Sequence, residues 1–116
     1  MIEAARQANL VSIGGQLQFR FSFGICECYW VEVDTYETVP KSLPWDDRVA
    51  KTAKAALADF QALTVKYDFY TEGRDAFEAH FVQAELGGDD PRKAMWFVWY
   101  FDEIDNQIVP AQEHLS

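Results

Sequence analysis

Along residues 16 to 23 apolar and polar side chains alternate: Leu17, Phe19, Phe21 and Phe23 against Gln16, Gln18, Arg20 and Ser22. A period of two belongs to a strand with one buried and one wet face. Upstream, "NLVSI" and the pair Gly14–Gly15 predict the first arm and turn of a hairpin, because two glycines readily take the positive φ of a two-residue turn. After Gly24, "CECYWVEVDTYET" is rich in β-branched and aromatic residues and predicts a third strand. Tyr29, Val31 and Val33 would share one side of it, with Cys28, Trp30, Glu32 and Asp34 on the other. Pro40 ends it, since proline cannot continue a ladder.

The period then changes. In "SLPWDDRVAKTAKAALADFQAL" the residues Val49, Ala53, Ala56, Leu57, Phe60 and Leu63 recur at helical spacing. Pro44 stands near its start, and Asp46 and Asp47 fall in the first turn, where the macrodipole favours acids. This is the main predicted helix, amphipathic and suited to lie across a sheet. "TVKYDFYT" alternates again through Val65, Tyr67 and Phe69 and predicts a fourth strand. "RDAFEAHFVQAELGG" fits two readings. Phe77, Phe81 and Ala84 suit a helix ended by Gly87 and Gly88; Ala76, His80, Val82, Ala84 and Leu86 suit a strand, the reading preferred here. The tail "NQIVPAQEHLS" adds at most a short edge segment before Pro110.

One run obeys neither period. "AMWFVWYFDE", residues 94 to 103, sets large apolar side chains side by side and stops at two acids. Strand formers dominate it, and Arg92 and Lys93 would be misplaced in a helix's first turn. A strand with apolar residues on both faces needs cover on both. Either Trp96, Val98 and Tyr100, or Met95, Phe97, Trp99 and Phe101, pack on the helix. Part of the other set is then free to meet a partner, since Trp, Tyr and Phe are enriched at interfaces.

The 116 residues make one domain, 1–116, large enough to bury a core without staples. No apolar run approaches the ~18 residues of a membrane span, and the first ten residues lack the apolar segment of a secretory signal. Cys26 and Cys28 sit on one side of a strand at a spacing that disfavours a bridge between them. Two reduced thiols and no export signal imply the cytoplasm.

Charge narrows the partners. There are 19 acids to 10 bases, a formal net charge of −9. Such a chain is repelled by phosphate backbones and anionic membranes, so neither nucleic acid nor membrane is expected as a partner. The acids are also segregated. Glu27, Glu32, Asp34 and Glu37 fall between residues 21 and 40 with no base, and Asp102, Glu103, Asp105 and Glu113 between 102 and 116, again with none. Bases gather instead around the helix at Lys41, Arg48, Lys51 and Lys54. An acidic face of this kind can steer a basic partner.

Catalytic signals are sparse. No serine lies in a nucleophile elbow, and a thiol–imidazole pair of Cys26 or Cys28 with His80 has no surrounding motif. Cys26, Cys28, His80 and His114 contain a zinc-compatible donor set, but their spacing matches no paired-cysteine pattern. Neither "GG" lies in a phosphate-cradling context. No metal or cofactor is expected, and an enzyme is disfavoured.

The sequence therefore predicts an α+β domain: an antiparallel sheet of five or six strands packed on one main amphipathic helix. The expected function is protein binding, as an inhibitor or antagonist with an acidic and aromatic surface for a basic macromolecule. Immunity proteins and phage-encoded antagonists are analogous in composition, not in motif. Trp30, Glu32, Asp34, Trp99, Asp102 and Glu103 are the expected surface. One alternative is a small-ligand protein or enzyme with an aromatic pocket between sheet and helix, using Tyr67, Asp68 and His80 as polar groups. Another is a homo-oligomer, a dimer for instance, with a self-complementary aromatic face.

Overall fold

The computed structural model describes residues 1–104 and 108–115. In chain order these form α1 (Ile2–Gln7), β1 (Val11–Phe21), β2 (Gly24–Asp34), α2 (Trp45–Lys66), α3 (Phe69–Ala76), α4 (Glu78–Leu86), a 3-10 turn (Pro91–Ala94), β3 (Met95–Asp102) and β4 (Ile108–His114). The fold is α+β, with one antiparallel sheet ordered β2-β1-β3-β4. Among the described residues four strands stand where five or six were expected, and three shorter α-helices join the main helix α2, for two local reasons.

The first is the glycine pair. Gly14 and Gly15 do not turn the chain; they lie within β1, paired to Asp34 and Val33 on one side and to Tyr100 and Trp99 on the other. They serve close approach instead. A Cβ on Gly14 would stand 2.3 Å from the Val33 carbonyl oxygen, and one on Gly15 would stand 2.6 Å from Phe97 Cε1. The hairpin turn is Ser22–Phe23, between the paired Phe21 and Gly24.

The second is a capping residue. Asp68 accepts a hydrogen bond from Thr71 N–H at 3.0 Å and starts α3 directly after α2 ends. "TVKYDFYT" is therefore a helix–helix junction, and Val65, 89% exposed, faces water. The next segment is helical too. Phe81 and Ala84 are buried, whereas Val82 and Leu86 of the strand reading are exposed. Gly87 and Gly88 close α4, their N–H groups donating to Gln83 and Glu85 carbonyls.

α2, α3 and α4 cover one face of the sheet, and α1 packs on α2. Phe60 of α2 meets Phe97 and Trp99 at ring-centroid distances of 5.0 and 5.5 Å. Phe81 of α4 meets Phe19 and Phe21 at 4.8 and 5.2 Å. The core is thus the inward row Leu17, Phe19, Phe21, Phe97, Trp99 and Phe101, closed by Ala56 and Phe81. Burying one such aromatic contributes about 1.5–3 kcal/mol. β4 outlasts its expected end, running through Pro110 to His114 along the free side of β3.

Among the described residues, helices layer only one of the sheet's two faces. The molecule measures 51 × 26 × 18 Å. Its 18 Å thickness holds one sheet and one helix layer at ~10 Å spacing, with no room for a third layer. A radius of gyration of 15.6 Å, against about 13 Å for a compact chain of this length, fits that flat shape.

Candidate functional site

Register places the residues of the uncovered face in rows across the strands. One row runs Asp34–Gly14–Tyr100–Pro110, the next Glu32–Gln16–Val98–Gln112, and a third Glu27–Gln18–Trp96–His114. Trp96, Val98 and Tyr100 are thus the outward half of the aromatic run, and Phe97, Trp99 and Phe101 the inward half. Among the described residues no helix lies over the outer half, although Val98 is buried at 4% exposure between its neighbours. Arg20 lies over Trp96 with Cζ 5.6 Å from the ring centroid, and its Nε donates to Gln18 Oε1 at 3.4 Å. It also bonds Gln112. The His114 ring sits 4.6 Å from that of Trp96. Tyr100 and Ile108 remain 36% and 65% exposed.

The acids of β2 stand across β1 from this apolar strip. Glu27, Glu32 and Asp34 are all exposed, and among the described residues none of them forms an ion pair. Asp34 is held by the Tyr36 N–H, which donates to its Oδ1 at 3.1 Å. Glu27 accepts from Gln18 Nε2 at 3.4 Å. Arg20 is the base of the face, and Lys51 and Lys54 lie behind it on α2. Between Asp34, Tyr100 and Ile108 the bare backbone of Gly14 and Gly15 floors a depression of about 340 Å³.

The six residues expected from the sequence do not form one surface. Glu32 and Asp34 do stand together on the open face. Asp102 ends β3, half-buried beside Ile13, Tyr36 and Arg48, next to the Asp34 row. Glu103 follows it, beside Asn9 and Leu10 of the α1–β1 connection. Trp99 is fully buried beneath α2, its Nε1–H donating to Glu113 at 3.2 Å, so it adds nothing to a protein-binding surface. Trp30 also leaves the group. Gln16 pairs with Glu32 but Leu17 with Cys28, so Tyr29, Trp30 and Val31 form a bulge that breaks the alternation. Tyr29 is thereby expelled to 69% exposure while Val31 is buried. Trp30 turns to the helical side, stacks on Phe77 at 6.4 Å and donates to Glu72 at 3.0 Å. Asp105 lies outside the described residues.

Residues missed from the expected surface are Glu27, Trp96, Tyr100 and Ile108; Val98 shares their side of the sheet but is buried. Both halves of the aromatic run are equally apolar, so its pattern held no signal for which half faces outward. Pairing with the alternating β1 settles it: Leu17, buried, lies beside Phe97, and Gln16 beside Val98.

The other chemistries disperse. Cys26 and Cys28 are buried on the helical side, and burial pushes the Cys28 thiol up to about 12 and the Cys26 thiol up as well. A thiol so protonated is a poor nucleophile. His80 is exposed on α4 and His114 stands on the opposite sheet face. Among the described residues no group of three His, Cys, Asp and Glu side chains is placed to hold a metal ion. Asp68 serves as a helix cap, and Tyr67 ends α2. A cavity of about 460 Å³ opens elsewhere, between α1, α2 and β3, lined by Ile2, Ala53, Lys54, Leu57, Phe60 and Trp99 among others. Among the described residues no helix is long and apolar enough to cross a membrane. Compared with known proteins, the chain matches no family model, no curated protein and no solved structure.

Proposed function

We propose that this chain is a small acidic protein-binding protein, an inhibitor or antagonist that lays the uncovered sheet face against a basic protein. One observation carries the reading: three carboxylates with no ion-pair partner among the described residues, Glu27, Glu32 and Asp34, stand across β1 from Trp96 and Tyr100 on a face with no helical layer. Aromatic residues supply contact area at the centre of interfaces, and charge at the rim steers association. Face-to-face pairing of two copies is opposed by the same charges, since among the described residues three acids face Arg20 alone of the arginines and lysines on each open face.

The test is capture from lysate with wild type and a triple variant, Glu27→Lys, Glu32→Lys and Asp34→Lys, at about 0.05 and 0.5 M salt. Screening over this range shortens the reach of exposed charges from roughly 14 to 4 Å. A stoichiometric basic partner held by wild type at low salt, and released by salt or by the triple variant, is the expected result. A partner indifferent to both changes, or none at all with a stable homodimer by light scattering, refutes it. The cavity beside α1 favours a second reading, a small apolar ligand against Phe60 and Trp99, which a tryptophan-fluorescence screen of aromatic compounds would detect.

A further inference from the structure

We propose that the depression over Gly14 is a slot for an arginine side chain of the partner, an inference that rests on the protein-binding reading above. The slot is a missing side chain in an otherwise filled row. Asp34 and Tyr100 both pair with Gly14, from opposite sides. Their Cα atoms are therefore two strand spacings apart, about 10 Å, and Gly14 itself puts no side chain between them, while Ile13 and Gln16 also line the depression. That opening admits one flat group with van der Waals contact on either side. The gap is imposed by the fold, because the Val33 carbonyl oxygen stands where any Cβ of residue 14 would go.

The walls choose the occupant. On one side stand Asp34 and, two residues along the same strand, Glu32, about 7 Å apart. Neither has an ion-pair partner among the described residues, and the bond from Tyr36 N–H holds Asp34 in place. On the other side stands Tyr100, partly exposed, with Ile108 beside it. A carboxylate wall selects a cation, and an aromatic wall attracts it across the ring face. A guanidinium satisfies both, since its planar fork donates to carboxylates while its plane stacks on a ring. An ammonium satisfies the first and stacks poorly. The face's own cation cannot fill the slot: Arg20 is six residues along β1, about 20 Å away, and is engaged by Trp96 and Gln112.

Two capped tripeptides of equal charge, one carrying two arginines and one two lysines, provide the test by amide chemical-shift titration of the isotope-labelled protein. Expected is a threefold to tenfold preference, roughly, for the arginine peptide, with shifts centred on Gly14, Gly15, Glu32 and Asp34. The preference should vanish in Tyr100→Leu, which keeps apolar bulk, and binding of both peptides should weaken in Asp34→Asn. Equal affinities, unchanged by Tyr100→Leu, overturn the slot but leave an acidic face that attracts cations generally. Absence of any shift with either peptide also overturns the slot. The protein-binding reading then stands or falls separately, on lysate capture by wild type and the triple variant.

Discussion

Gly73→Ala is a substitution whose sign follows from packing against the ordinary rule. Gly73 lies inside α3, where helix propensity alone makes alanine better by about 1 kcal/mol. Here a Cβ would stand 2.2 Å from Phe19 Cε1 and 2.7 Å from Cδ1 and Cζ. Carbon atoms rest at about 3.5 Å or more, so ring or helix must move by roughly 1.3 Å. Phe19 has little freedom to yield, being fully buried with Phe81 at 4.8 Å and Phe21 at 6.5 Å. Overpacking of this kind costs about 1–3 kcal/mol. The net expectation is a loss of about 1 kcal/mol, read as a lower urea midpoint and a melting temperature lower by roughly 4 °C. In a Phe19→Leu background, where the ring is gone, the same alanine should recover its propensity gain, giving a coupling on the order of 1–2 kcal/mol in a double-mutant cycle. Ala79→Gly, on the exposed surface of α4, supplies the propensity scale without packing and should lose about 1 kcal/mol. A wild-type-background Gly73→Ala that is more stable than the parent would refute the docking of α3 on Phe19.

Thr52→Val should destabilise by about 1–3 kcal/mol in urea melts, because the buried Thr52 hydroxyl accepts from Ser12 N–H at 3.0 Å and valine leaves that donor unpaired; Thr52→Ser should restore most of the loss. Trp99→Ala should cost about 3–5 kcal/mol and Trp96→Ala, on the open face, about 1 kcal/mol or less, an order that reverses if the aromatic run is turned over. Between pH 9 and 12 the unfolded chain loses the Cys28 proton while the folded chain, with its thiol raised to about 12, keeps it. Stability should therefore be fully present below pH 9 and fall as pH rises towards 12, and Cys28→Ala should flatten that part of the profile of urea midpoints. At neutral pH both thiols of the native protein should react with a disulfide reagent far more slowly than in denaturant.

What the sequence made legible was local chemistry that repeats. The alternation of Leu17, Phe19 and Phe21 marks a strand with an inward face, and the stripe from Val49 to Leu63 marks α2; both stand in the structure. Three failures share a cause, namely that a short pattern is outvoted by a contact far away in sequence. Gly14 and Gly15 look like a turn because glycine permits one, yet the approach of Val33 and Phe97 to β1 is what requires them. Val65, Tyr67 and Phe69 alternate by accident, whereas Asp68 placed a helix cap among them. Trp30, Glu32 and Asp34 share a parity that the bulge at residues 29–31 cancels. Of the expected surface, Glu32 and Asp34 were legible as a base-free acidic block. Tyr100 was not, because choosing between Trp96–Val98–Tyr100 and Phe97–Trp99–Phe101 needs the pairing partner and not the run.

The sheet's edges bear on how a protein partner would approach. Recognition through an exposed strand edge requires a straight row of free N–H and C=O groups. β4 carries Pro110, which lacks a donor, in the middle of its seven residues. β2 is bent by its three-residue bulge and lined with Glu27, Glu32 and Asp34. Both edges are thus blunted against strand addition, whether by a partner or by another copy of the chain. The face is not blunted: Tyr100 and Ile108 stand open beside the acids, and the row at Gly14 leaves space for a side chain to enter. A partner that docks side chains onto a face, and not backbone onto an edge, is selected by the chemistry of those side chains. That is why the arginine-to-lysine ratio, more than affinity alone, distinguishes a shaped site from a charged surface.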